Sequence, residues 1–429
     1  MKILKGSPGR RGCEGSILFA SLALLAVAAI GMGSLVSSVQ SELRTTRRGL
    51  QWKTALPIAE AGVEEALAHL NSGLPLTNNG WSFDATRKIY WKQRNAGEGY
   101  FVVEFTPPAT NQTPVIRSTG FMLAPLQTTN WLSRTVEVGT RISKAAGIEV
   151  KDTFKGSADR IMDSFDSSDP AASTNGQYDP AKARDNCSIS TISGIPGKID
   201  VGNRKVHGKV AVGSGGSVTL SSQGKVGSKA WIARSDTGGK IEPGRFASGF
   251  STTFPDVIPP FRTGLAPMPG VWGGTSYAYI LGNGDYAVAN FKLSSSQQAL
   301  VLGNARLFVS SDFDMSANSA LVIAPGARID IYTDCPKITA NGKGFINYNG
   351  VARNLRLYAT SKTTSISLAG SADFIGWIYA PNADIKLTGG STYMGHVKAK
   401  SVDMGGSNAF HADEDVGTVT FRVVSWKEL

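Results

Sequence analysis

Residues 305–331 read ARLFVSSDFDMSANSALVIAPGARIDI. Three short apolar runs, Ala305–Val309, Ser319–Ile323 and Ala327–Ile331, are punctuated by Ser, Asp, Asn, Pro and Gly. Runs this short are below helix length, and turn residues between them mark successive β-strands. The same texture recurs from Ile189 onward, for example at Val206–Gly213, Ser217–Leu220, Leu355–Tyr358, Ser365–Leu368, Phe374–Tyr379, Asp384–Leu387, His396–Ala399 and Ser401–Met404. Glycine is 49 of 429 residues, about 11% against an average of roughly 7%. Corners with no room for a side chain select Gly and Asn, and rungs buried between neighbours leave little surface to charge. Charged residues are accordingly only 18%. These features predict a parallel β-solenoid over residues 189–420. A β-sandwich is the alternative, although its strands run to about five or six residues. Between residues 248 and 274 stand Pro255, Pro259, Pro260, Pro267 and Pro269. Proline cannot donate to a strand ladder, so this stretch is expected to be an excursion lying across the coils.

The other end of the chain has a different texture. Lys2, Lys5, Arg10 and Arg11 make residues 1–15 a basic leader, and between Gly15 and Ser41 there is no charge. Ile17–Val39 is a mostly apolar run of 23 residues, and about 20 suffice to span a bilayer as a helix. A cleaved signal carries only about 7–15 apolar residues. Helical spacing continues beyond the span, with Leu56, Ala59 or Glu60, Val63, Leu67 and Leu70 recurring at steps of three and four. Leu56, Val63, Leu67 and Leu70 are the expected packing residues of one long helix over 16–72, kinked at Pro57. Basic residues flank the span on both sides, so charge alone does not orient it. A short leader is easier to leave inside than the downstream domains, which places the N-terminus in the cytoplasm.

Residues 73–145 alternate as strands at Lys88–Trp91, Tyr100–Phe105, Val115–Met122 and Arg134–Ile142. They predict a small antiparallel β head on the helix. Residues 146–188 are poor in large apolar groups and read as a linker. Their aspartates, Asp159, Asp163, Asp166 and Asp169, lack the alternate-position spacing of a calcium loop. Residues 421–429 read as a tail.

The order Arg10-Arg11-Gly12, Gly15-Ser16-Ile17-Leu18, an uncharged span, Ser41-Glu42-Leu43-Arg44 and Ala59-Glu60-Ala61-Gly62-Val63-Glu64-Glu65-Ala66-Leu67 resembles the N-terminal domain of PilX-type minor pilins over residues 10–72. The resemblance implies a structural subunit of a type IV pilus or pseudopilus, with a pilin-like α+β head. It also implies an anchor in the bacterial inner membrane, with the bulk of the chain periplasmic or extracellular, and partners that are other pilin or pseudopilin subunits packed through the helix. It places leader processing at Gly15 and Ser16. Major pilins carry Glu at the fifth mature position, where this chain has Ala20; PilX-like proteins often lack that Glu. Asp373–Ala383, Gly395–Val402 and Phe410–Glu414 resemble a repeat domain found behind such N-termini, similar in texture to polymerising bactofilins.

Chemistry-bearing patterns are sparse. Four His and three Cys leave little for a metal or thiol enzyme, and no nucleophile elbow, zinc-binding or phosphate-loop motif occurs. A β-helical polysaccharide enzyme needs convergent acids. The candidates are Asp312 with Asp314, Asp330 with Asp334, and the cluster His411, Asp413, Glu414 and Asp415. Each also reads as turn or end-capping chemistry. His411 and Asp413 are the candidate cation ligands, and His396 lies where it can face His411 from a neighbouring coil. Cys187 and Cys335 are candidates for a disulfide in an oxidising compartment. No cofactor and no enzymatic activity are expected. A surface polysaccharide is a candidate ligand. The net charge of +11 divides into +5 over residues 1–60, −1 over 61–185 and +7 spread thinly over 186–429. No basic block with interleaved aromatics forms, so nucleic acid is not an expected partner.

Overall fold

The computed structural model describes residues 14–71, 76–108, 113–125, 129–234, 238–370 and 373–429. The expectations for residues 1–13 lie outside them. The protein is mainly β, with 49% of it in strands, and has one long N-terminal helix. It divides into two units, residues 1–143 with 420–429, and residues 144–419.

In the first unit α1 (Glu14–Asn71) runs for 58 residues and continues through Pro57. Its C-terminal part carries an antiparallel sheet of β1 (Ser82–Asp84), β2 (Ile89–Ala96), β3 (Gly99–Phe105), β4 (Val115–Leu123) and the first part of β5 (Trp131–Val150), each paired with the next. Alternation in β3 turns Phe101, Val103 and Phe105 inward. They meet Ala55, Ile58, Val63, Ala66 and Leu70 of α1. The helix and sheet approach so closely that a Cβ at Gly120 would lie 2.2 Å from the Ala55 carbonyl oxygen, and one at Gly62 2.2 Å from Ser118 Oγ. Residues 421–429 are not a tail. All but Leu429 belong to a strand, Thr418–Glu428, whose Phe421 joins this core. Phe421 exchanges hydrogen bonds with the Asn71 amide, and Arg134 forks onto Glu428.

In the second unit three faces of parallel strands carry inward apolar ladders. One runs Val210, Ile189, Ile148, Val397, Ile378, Leu357, Ile331, Leu307, Tyr286. Another runs Ile199, Phe154, Val402, Ile385, Ile366, Ile338, Phe313, Phe291. A third contains Val226, Val206, Met162, Phe410, Tyr393 and Phe374. Nearly all of these side chains are fully buried in one core. The one antiparallel pair of strands described in this unit joins Met268–Trp272 to Thr275–Leu281.

The ladder order is not the chain order. Residues 146–165 sit in the middle of the stack, between the strands around residues 187–210 and those around 393–413. The 146–188 stretch is therefore not a linker. It has few large apolar residues, but Ile148, Phe154, Met162 and Phe165 all point inward and are fully buried. From residue 249 the chain leaves one end of the stack and rejoins it at the other. It starts with the Phe250 amide on the Val212 carbonyl and ends with the Leu265 amide on the Asp285 carbonyl. Between them Tyr379 donates to the Pro255 carbonyl, Asn382 to Asp256, and Arg262 pairs with Asp334.

Candidate functional site

Two features stand out chemically, and each belongs to one unit. The first is the N-terminal part of α1. Phe19 is 80% exposed, Leu24 73% and Ile30 73%. The richest 18-residue window has a mean hydropathy of 2.2, and none of it is buried. Exposed apolar area costs about 25 cal/mol per Å² in water, so a helix that is apolar all round needs lipid or other apolar helices as its surroundings. Length and composition suit a single-pass membrane anchor. Gly15 and Ser16 fall in the first turn of this helix.

Of the expected packing face, Val63 and Leu70 are buried in the head core, and Leu67 packs against it half-buried. Leu56 is half-buried and outside that cluster. The closest contact is made by small residues instead, namely Ala55, Ala59 and Gly62. A search for large apolar residues passes over them, because the sheet's approach at Gly120 rewards the absence of side chain. Glu65 reaches Lys92 and Arg94, both at 2.6 Å. The hydrogen bond from Lys92 is the main reason that its carboxyl is held below the usual range.

The second feature is a band of buried polar groups in the other unit, where residues 393–414 meet residues 146–186. His411 Nδ1 hydrogen-bonds Asp163, Tyr178 donates to the other Asp163 oxygen at 2.9 Å, and the Tyr178 ring stacks on the imidazole at 3.7 Å. Glu414 accepts from Ser164 Oγ and Asn186, and Arg184 approaches it at 3.4 Å. Asp413 Oδ1 accepts the amides of Ser167 and Asp415. Its Oδ2 is buried with no partner among the described residues, and burial pushes its pKa up to about 6. Nearby, Lys398 pairs with Glu149 at 3.1 Å, and Phe254 lies over the ammonium at 4.8 Å. His396 accepts the Gly147 amide on Nδ1, so the neutral ring carries its proton on Nε2, 4.0 Å from Glu149. Burial lowers its pKa to about 4. Arg204, fully buried, donates to the Met404 and Asn408 carbonyls and the Asn408 side chain.

The two candidate cation ligands are thus engaged separately, His411 by a carboxylate and Asp413 by backbone amides. No group of three or more His, Cys, Asp or Glu suited to a metal ion occurs among the described residues. His396 faces Gly147 and Glu149. Asp163, Glu149, Lys398 and Arg204 carry this band, yet no motif marks them; their partners are about 200 residues or more away in the chain.

The other candidate acids apart from Asp314 are individually neutralised. Asp312 pairs with Lys292 at 2.6 Å, Asp330 with Arg328 at 2.8 Å, and Asp415 with Arg353 at 2.9 Å. Asp334 is buried, which by itself raises its pKa. Hydrogen bonds from Lys362, Arg262 and Thr360 outweigh that and leave it below the usual value. Asp314 faces Lys292 across one pair of strands and Thr339 across the next. Cys187 and Cys335 are buried free thiols, and burial pushes the Cys187 thiol well up.

A family model described as a domain of unknown function, DUF7305, matches residues 273–419. No curated protein matches the chain. No solved structure matches it.

Proposed function

We propose that this chain is a PilX-like minor pilin or pseudopilin. On this reading α1 anchors it in the bacterial inner membrane with its N-terminus in the cytoplasm. The same helix packs against other pilin subunits, and the second unit is a β-solenoid displayed outside the membrane. One observation carries the reading: a single 58-residue helix is apolar and uncovered at its N-terminal end, while its C-terminal end lays a small-residue face on an antiparallel sheet. The parallel, in-register ladders of residues 146–413 support the solenoid. A structural role is favoured over an enzymatic one because the candidate acids other than Asp314 are each matched to a cation or amide, and Asp314 shares Lys292 with Asp312. Mass spectrometry of the mature N-terminus in a sheared-fibre fraction tests this. A start at Ser16 in fibres is expected. An intact leader confined to inner membrane would sink the fibre assignment.

A second reading, an end-to-end polymerising scaffold of bactofilin type, is supported by one end of the stack. There the edge strand Met268–Trp272 leaves Met268, Val271 and Trp272 more than half exposed. Polymerisation abolished by Val271→Lys with α1 intact would favour it.

A further inference from the structure

The second unit is built from two half-stacks that are each continuous in sequence. The first covers residues 144–248 and the second residues 265–419. The DUF7305 match begins and ends inside the second half-stack, which marks that half as a module in its own right. The two halves meet at one seam, where Val397 pairs with Ile148, Val402 with Phe154 and Phe410 with Met162.

This seam differs from every other rung-to-rung contact in its chemistry. Among the described residues of the unit eleven Asp, Glu, His, Lys and Arg side chains are buried, and eight of them make contacts across it. Neighbouring rungs elsewhere are specified by short connections. At the seam no short chain connection exists, so the correct edge is recognised through side chains, together with the pairing of Thr418–Glu428 beside β5 in the head sheet. Buried ion pairs add little net stability but reject wrong partners and registers. Glu149 with Lys398 is a pair of this kind, and beside it the hydrogen bonds of Asp163 with His411 and of Arg204 with Asn408 make a complementary polar set, as in a protein–protein interface.

The connector adds a mechanical constraint. From Phe250 to Leu265 it spans about 50 Å when fully extended, at about 3.4 Å per residue. The ten strand spacings from Phe250, in the rung beyond Val212, to Leu265, in the rung beyond Asp285, require about 48 Å, at about 4.8 Å each. It is therefore only slightly longer than the distance it must cover, and short, taut connectors favour exchange between copies over closure within one.

We propose that the seam is an exchangeable interface whose second occupant is residues 144–248 of another copy of this chain. Each copy then lends its first half-stack to its neighbour's second half-stack, with the same buried polar pairs. The exchange carries Thr418–Glu428, which follows the second half-stack, to the neighbour's head sheet as well, and it is independent of the reading of α1 as a membrane anchor.

The test uses the full chain with Cys13→Ser. Lys155 and Asp403 face each other across the seam. Two variants, one with Lys155→Cys and one with Asp403→Cys, are co-expressed and oxidised, with the full connector and with residues 256–261 deleted. The expected result is a disulfide-linked heterodimer whose yield rises at least tenfold on deletion, since the shortened connector reaches only about 31 Å. A control chain carrying both substitutions closes the disulfide internally. Absence of heterodimer in both backgrounds while that control closes overturns the proposal. Equal yield from Lys155→Cys with Lys292→Cys, which do not face each other, also overturns it.

Discussion

At the scale of single residues, the head depends on side chains that are absent. A Cβ at Gly120 would sit 2.2 Å from the Ala55 carbonyl oxygen and 2.5 Å from the Ala59 nitrogen. Backbone on both sides cannot yield without moving helix from sheet. Gly120→Ala is expected to destabilise the head by about 1–3 kcal/mol, the usual cost of overpacking, read as a lower thermal midpoint in detergent. Two buried groups at the seam titrate in opposite senses. Asp413 is raised to about 6 in the folded chain, so its contribution is complete below its unfolded value of about 3.9 and is lost as pH rises through 6. His396 is lowered to about 4, so its contribution is complete above about 6.5 and is lost as pH falls through 4. The two offset each other in the natural chain. In urea titrations Asp413→Asn is expected to unmask the His396 effect, a loss of stability as pH falls from about 6.5 to about 4. His396→Gln is expected to unmask the Asp413 effect, a loss as pH rises from about 4 to about 6. Unchanged slopes in both variants would refute these assignments.

At the scale of elements, α1 and most strands were legible because their periodicities are local properties. The apolar run predicted a spanning helix, and the alternation of Phe101, Val103 and Phe105 predicted β3. The packing face of α1 was only half legible. Val63 and Leu70 were found by spacing, whereas Ala55, Ala59 and Gly62 matter because of what β4 places against them. The uncovered segment makes its own prediction. Leu25→Asp puts a charge at its middle and costs about 3 kcal/mol of insertion free energy. The fraction retained in membranes after carbonate extraction should fall. Full retention would mean that the segment is held by something other than lipid.

At the scale of the whole molecule, two long-range closures decide the architecture. The chain leaves the head sheet after β5 and rejoins it with Thr418–Glu428. It also enters the stack at its middle, so that the strand at Tyr393–Met404 pairs with residues 148–156. A cut in the connector should therefore not separate the half-stacks. Ile258 is 86% exposed, and thermolysin cleavage there is expected to leave both fragments co-eluting under native conditions and separating only in denaturant. Separation without denaturant would show that the connector, rather than the seam, holds the halves together.

The sequence by itself determined the elements: a membrane-length helix with an amphipathic extension, a small β head, and many short strands between Gly and Asn corners. Each follows from the residue pattern within one window of chain. Only the tertiary structure decided which edges meet. It turned the expected linker at 146–188 into the centre of the stack and the expected tail at 421–429 into a strand of the head. It also gave Glu149, Asp163 and Arg204 partners about 200 residues or more away. The physical reason is that parallel strand edges are chemically generic. Periodicity says that an edge will pair, but the choice of partner rests on buried side chains and connector length, which no local window contains.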